Sequence, residues 1–359
     1  MGAVSDAVWS EQGTTPDAIE AALRELLAER HAENGGYVPA RVLNMMAFVE
    51  SEYSGEIANR LRGVGRYHAS RLVVLSYDPK RTRLDAHASV AAEDEAKPGE
   101  LVLLHETVIV ELGDRHLDDL LSIADPLMVS DLPTLLWSPH GHPEAVEALL
   151  PLAQSTLLDS VDDPVWREAI DRANTLSDQL YVVDLAWLRS TPWRERIAAT
   201  FNPPALRAEL QRITAITVRH HPDSTVAAML LIGWLASRLD WRLAPLVPHG
   251  DALSGKALGK RQEIALRLEA ASDRSKIGQQ VRGLAGVTLE TASGIRIRLD
   301  RGTGGLRAYQ SDGKGKEREW TILGASRGEA GILGEGIRQA LLRDPTYRPA
   351  LRAAQAMLP

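Results

Sequence analysis

The chain has 359 residues, room for two domains or three. Its hydrophobic content of 44% and charged content of 25% suit a globular protein with a sizeable core. A formal charge of −7 argues against a protein devoted to a polyanion, so no nucleic-acid partner is expected. The absence of cysteine excludes disulfides, thiolate nucleophiles and cysteine zinc sites. The opening stretch MGAVSDAVWSEQ has neither a basic n-region nor an apolar h-region. The longest apolar run, VAAMLLIGWLA at 226–236, is well short of the ~20 residues of a membrane span. A cytoplasmic protein with no membrane contact is expected.

Residues 16–33 read as a first helix, capped by Thr15, opened by Pro16 and Asp17 and stopped by NGG at 34–36. RVLNMMAFVE (41–50) and SRLVVLSYD (70–78) are apolar runs of strand length, with a helical segment at 53–68 between them. TRLDAHASVAA and LVLLHETVIVEL suggest a hairpin around KPG (97–99). From 116 onward, helices at 116–127, 143–153, 163–178, 192–201 and near 204–211 alternate with strands at 131–137, 155–160, 179–187 and 213–220. That grammar is the βαβ unit of a parallel sheet. A final helix at 223–239 is apolar nearly all round and should be buried.

The segment 244–260, rich in Pro, Gly and small residues, is the linker candidate. Beyond it, alternating stretches broken by Gly-rich turns read as an antiparallel meander, followed by two helices, the second opened by Asp344 and Pro345. The fold expected is α/β, a mostly parallel sheet with flanking helices over residues 1–245. A C-terminal antiparallel α+β module would occupy 246–359, with an alternative boundary near 165.

Chemical signatures are incomplete. GVGRYH (63–68) lacks the third glycine of a dinucleotide fingerprint and follows a helix, and RGTGG (301–305) sits among hairpins, so both read as turns and no cofactor is expected. His140 with His142, and His220 with His221, lack metal-binding spacing, so no metal is expected either. Ser160, Asp159, Asp184 and the loop histidines could share a strand-end crevice, as in a hydrolase acting on a small phosphorylated or acylated metabolite. Ser160 lies in LDSVDD rather than a nucleophile elbow, and the surrounding acids would oppose an oxyanion. A helix cap or a turn is the alternative role for Ser160. The basic residues of the meander, Arg296 and Arg298 among them, form either a solvated strand face or a docking surface for an acidic partner.

DLAWLRSTPWRERIAATF (184–201) concentrates two of the chain's eight tryptophans. Trp193, Ile197 and Phe201 share one helix face, so Trp193 points into the core, and Thr191 caps that helix. Asp184 is a carboxylate in an apolar strand, and Arg189 or Arg194 is near enough to pair with it. Trp187 at the strand's end, with surplus arginines, has the composition of an interface, and by residue type the core is an equally open place for it. Trp137, Trp187, Arg189, Arg194, Arg296 and Arg298 are therefore the candidate partner-binding residues. Asp184, Thr191 and Trp193 are the candidate structural motif.

VDLAWLRSTPWRE (183–195) closely resembles the hallmark segment of the glucose-6-phosphate dehydrogenase assembly proteins, the OpcA family. RVLNMMAFVE (41–50), HASRLVVLS (68–76), DPLMVSDLPTLLWSP (125–139), LLIGWLASRLDWR (230–242) and RDPTYRPAL (343–351) are similar to further blocks of the family, in the same order. The resemblance implies a non-catalytic partner of glucose-6-phosphate dehydrogenase that promotes assembly or activation of that enzyme in the oxidative pentose phosphate pathway. The thioredoxin-linked cysteines of cyanobacterial members have no counterpart here.

Overall fold

The computed structural model describes residues 6–39, 41–65, 70–92, 101–271, 282–302, 304–314, 316–323 and 328–359. The chain divides into two units. The first holds the chain up to Leu158 with Leu180–Val183 and Leu333–Leu342; the second holds Asp159–Gln179, Asp184–Ile332 and Arg343–Pro359.

The first unit is built on strands β1 (Ala7–Gln12), β2 (Tyr37–Pro39), β3 (Leu43–Glu50), β4 (Ser70–Tyr77), β5 (Asp85–Ala92), β6 (Val102–Leu112), β7 (Thr134–Trp137), β8 (Ser155–Leu158) and β9 (Tyr181–Asp184). Their order is β1-β5-β6-β4-β3-β7-β8-β9, with β2 on β6. β3 pairs parallel with both β4 and β7, β4 parallel with β6, and β7 parallel with β8; β1 and β5 run antiparallel at one side. Counted from β3, β4, β6, β7 and β8, the parallel ladder has the order 3-2-1-4-5, that of dinucleotide-binding sheets, with β9 next to β8. β3 and β4 are buried along nearly their whole length, as strands covered on both faces must be. The helix Pro16–Glu33 forms where expected, and Thr15 Oγ1 accepts from Ala18 N at 3.3 Å. Buried polar side chains tie the elements of this unit together, although Ser76 Oγ on β4 is buried without a hydrogen-bond partner. Asn44 bridges Val129 and Thr134, and Arg71 ties the Glu106 carboxylate (2.8 Å) to Glu20 (2.7 Å).

The second unit carries strands β10 (Ile213–His220), β11 (Arg242–Leu243), β12 (Val247–His249), β13 (Ala252–Leu258), β14 (Glu263–Ala270), β15 (Leu284–Thr291), β16 (Arg296–Gly302), β17 (Gly305–Ser311) and β18 (Glu317–Leu323). The order is β11-β13-β14-β10-β15-β16-β17-β18, with β12 on β13, and among the described residues these strands pair antiparallel except β10 with β14. Period-2 alternation puts Ile216, Val218, Leu266, Leu268, Val287, Leu289, Ile297 and Leu299 on one buried face. The helix Thr225–Leu239 packs against β10 and β14. That helix is buried almost throughout, as its all-round apolar composition predicts.

Several expectations need correction. The linker candidate 244–260 is largely strand: β12 and β13 pair with each other, and β13 with β14, because its small residues suit close antiparallel ladders. Strand 179–187 ends at Asp184, and Leu185–Arg189 is a helical turn. The segment 116–127 is two 3₁₀ turns around the short helix Leu120–Ala124, since Pro126 prevents a continuous helix. The helix near 204–211 shortens to Pro204–Arg207, and that at 163–178 begins at Trp166. Gly63 and Gly65 lie in the helix Ser54–Gly65 rather than in a turn. KPG (97–99) lies outside the described residues, although β5 and β6 pair antiparallel as a hairpin requires.

Candidate partner-binding residues

The segment 184–195 folds into a closed polar knot in the second unit. Asp184, 1% exposed, caps the helix Leu185–Arg189. Its Oδ1 accepts from Ala186 N (2.9 Å) and Ser160 N (3.2 Å), and its Oδ2 from Ser160 Oγ (2.5 Å) and Tyr347 Oη (3.1 Å). Burial pushes the Asp184 carboxyl up, and these hydrogen bonds oppose it. The expected pairing of Asp184 with Arg189 or Arg194 is replaced by four neutral donors. Each arginine is bound elsewhere. Arg189 Nη1 reaches Asp159 at 2.7–2.8 Å. Arg194 Nη1 donates to Trp187 O (2.7 Å) and Ser190 Oγ (2.5 Å), and its Nη2 to Thr191 Oγ1 (3.1 Å).

The Arg194 guanidinium lies 3.4 Å above the Trp187 ring, a stacked cation–π contact away from water. Burial lowers the Arg194 pKa to about 10 in spite of the Asp344 and Glu195 charges. Trp187 is 2% exposed, its Nε1 donates to Asp344 Oδ2 at 2.8 Å, and its ring meets that of Tyr347 at 5.6 Å. Burial alone would raise the Asp344 carboxyl; hydrogen bonds from Thr346 and Trp187 outweigh it and hold the group below its ordinary value. Trp187, open to either core or interface by its residue type, and Arg194, a candidate for partner binding, are thus internal, because the chain turns into a helix at Leu185 and folds the indole inward. Thr191 does not cap: Ser190 holds the N-cap position without a side-chain bond, and the Thr191 hydroxyl accepts from Arg194. Trp193, Ile197 and Phe201 line the buried face expected of them.

The remaining candidates separate. Trp137, at the end of β7 in the first unit, is also buried, with the Arg60 guanidinium 5.8 Å from its ring. Arg296 and Arg298 are solvent-facing on β16, paired with Glu290 (3.1 Å) and Asp300 (2.5 Å). Ser160, buried, spends its hydroxyl on Asp184, whose oxygens already receive four donors, so the hydrolase geometry is not assembled there. Tyr347 and Asp344 were not singled out as partners of the hallmark segment. The signal was present, since RDPTYRPAL is itself one of the resembling blocks, but no periodicity joins positions so far apart in sequence.

The point where the strand order reverses, between β3 and β7, is where a dinucleotide sheet binds its ligand. The turn after β3 reads Glu50-Ser51-Glu52-Tyr53-Ser54-Gly55 and leads to Glu56 in the first helical turn. A pyrophosphate needs glycines that let backbone N–H groups approach it at a positive helix end. Here three carboxylates stand in that position, and the residues do not fit a dinucleotide. After β7, Ser138 Oγ donates to Phe48 O (3.1 Å) and Gly141 O (2.5 Å). His142 packs edge-on against Phe48 at 5.1 Å, and burial lowers its pKa despite Glu50 at 3.7 Å. Among the described residues no cluster of three or more metal-binding side chains occurs. No helix there is long and apolar enough to cross a membrane.

A dinucleotide-type sheet with an acidic turn in place of a phosphate cradle, joined to an antiparallel sheet, defines the class. Residues 62–175 match the model of the glucose-6-phosphate dehydrogenase subunit N-terminal domain, and residues 180–351 that of the corresponding C-terminal domain. The chain belongs to the glucose-6-phosphate dehydrogenase assembly protein family, OpcA. It is 29% identical over 119 residues to a putative OxPP cycle protein OpcA from Synechocystis sp., covering 32% of this chain and 25% of that protein. A protein of the same description from Synechococcus elongatus is 25% identical over 169 residues, 46% of this chain and 37% of that one. The matched region thus spans 25% to 37% of the length of these relatives. Among solved structures, the chain is similar to the WlbA (WbpB) dehydrogenase from Thermus thermophilus (TM-score 0.44, 15% identity, 88% of this chain and 96% of that one). It is also similar to apo scyllo-inositol dehydrogenase from Lactobacillus casei (TM-score 0.46, 12% identity, 89% and 96%).

Proposed function

We propose that this chain is a cytoplasmic, non-catalytic partner that binds glucose-6-phosphate dehydrogenase and favours its active assembled form. The observation that carries the reading is the pair of subunit-domain matches running through residues 62–351 with only a short gap. The acidic turn after β3 supports the absence of chemistry of its own, since carboxylates there repel the phosphates of a dinucleotide. Trp137, Trp187, Arg189, Arg194, Asp184, Thr191 and Trp193 act by holding the fold, because each is committed to internal contacts.

An activator must bind the active state more tightly than the inactive one; equal affinity for both shifts nothing. The test is co-purification with the dehydrogenase and its kinetics with and without this chain. A complex at micromolar concentration with raised kcat or lowered KM is expected. No complex and unchanged kinetics would overturn the reading, as would turnover of a metabolite by this chain alone.

A further inference from the structure

The helix that packs on β10 and β14 covers one face of the second sheet, while most alternate side chains of the strands are partly or fully open to solvent, the small Thr288 and Ala252 being buried among them. The centre of that open face is small. Ala215 stands beside Ala265, and Thr217 beside Thr288. At Gly286 the missing side chain leaves room for a neighbour: Arg219 lies across it to reach Asp300 at 2.5 Å, and a Cβ on Gly286 would fall 2.3 Å from the Arg219 Nη2.

The charges on this face close on one another. Arg298 also meets Asp300, Arg296 meets Glu290 at 3.1 Å, Lys256 meets Glu263 at 2.7 Å, and Arg267 meets Glu269. Of the cations on this face of β10 and β13 to β18, only Arg307, exposed opposite Asp300, stands outside these pairs, so the face offers little to an acidic partner or a nucleic acid. It does suit a copy of itself, because both signs alternate around a small-residue centre, and a two-fold interface requires a patch complementary to itself. The size agrees. Seven adjacent strands, β13 to β18 with β10, at ~4.8 Å spacing and about seven residues of ~3.3 Å each, present roughly 750 Å². A standard specific interface needs about 800 Å² per partner.

We propose that the open face of this sheet is the surface through which two copies of this chain pair, sheet against sheet. The proposal does not rest on the dehydrogenase reading. Sedimentation velocity and light scattering between ~1 and ~50 μM follow the full chain, Ala265→Glu and Thr217→Lys, with urea midpoints as the folding control. The expected result is a species of twice the 39.2 kDa chain mass. Each variant, which sets like charges against each other near the two-fold axis, should weaken it at least ~100-fold with the midpoint kept. A monomer at every concentration overturns the proposal, as does a dimer unaffected by both folded variants. A monomeric chain whose Ala265→Glu variant loses dehydrogenase binding also overturns it, and assigns the face to the other enzyme.

Discussion

Gly233 sits where the buried helix Thr225–Leu239 crosses the helix Tyr347–Gln355. By intrinsic propensity, Gly233→Ala in a helix interior should stabilise by ~1 kcal/mol. Packing predicts the opposite sign. A Cβ there would lie 2.2 Å from Ala350 O and 3.0 Å from Ala354 N, both backbone atoms that no rotamer can move aside. Ordinary contacts of this kind need roughly 3.5 Å, so the helices must part by on the order of 1 Å. Tyr347, Ala350, Leu351 and Ala354 are buried in the seam and would lose contact along its length. Overpacking of this severity costs about 3 kcal/mol, more than propensity returns. With a urea m-value near 2 kcal/mol/M, the midpoint should fall by about 1 M. Because Tyr347 touches Trp187, tryptophan fluorescence should change in the folded baseline as well. A midpoint equal to or above that of the parent chain would refute the packing argument.

Arg194→Lys should cost ~2–4 kcal/mol in urea unfolding, nearly as much as Arg194→Met, because an ammonium cannot both stack on Trp187 and serve three acceptors; a fully stable lysine variant would contradict this. Asp184→Asn should lower stability by ~2 kcal/mol, since its amide nitrogen would face a hydroxyl or N–H that now donates to the carboxylate; an unchanged midpoint would count against the four-donor cap. Burial raises the Asp159 carboxyl from 3.8 to about 7, against the pull of Arg189. The folded state then holds a proton that the unfolded state has lost, so this group's contribution to stability is full below about pH 4 and declines as the pH climbs toward 7. Asp159→Asn should flatten that slope, and an identical pH profile in the variant would exclude the assignment.

The sequence displayed what period and caps encode: the helix begun by Thr15, the parallel strands, and the buried face of Trp193, Ile197 and Phe201. It concealed what depends on distance along the chain. Asp184 looked like half of an ion pair because the nearest cations in sequence were Arg189 and Arg194, whereas its donors Ser160 and Tyr347 come from far segments. Trp187 admits an interface role only while the strand runs three residues too far, to 187; one helical turn beginning at Leu185 reverses the direction of the indole. The small residues of 244–260 suggested a flexible joint, and the same smallness lets β13 pair on both sides. Arg296 and Arg298 read correctly as surface residues because strict alternation places them opposite Ile297 and Leu299.

The in-plane pairing of charges on the second sheet also governs how fast anything can arrive there. A field that cancels within a few ångströms projects little beyond the ~10 Å screening length at moderate salt, so it cannot guide a distant molecule toward the surface. Encounters with this side of the chain are left to unassisted diffusion, near 10⁵–10⁶ M⁻¹s⁻¹, and should be almost indifferent to ionic strength.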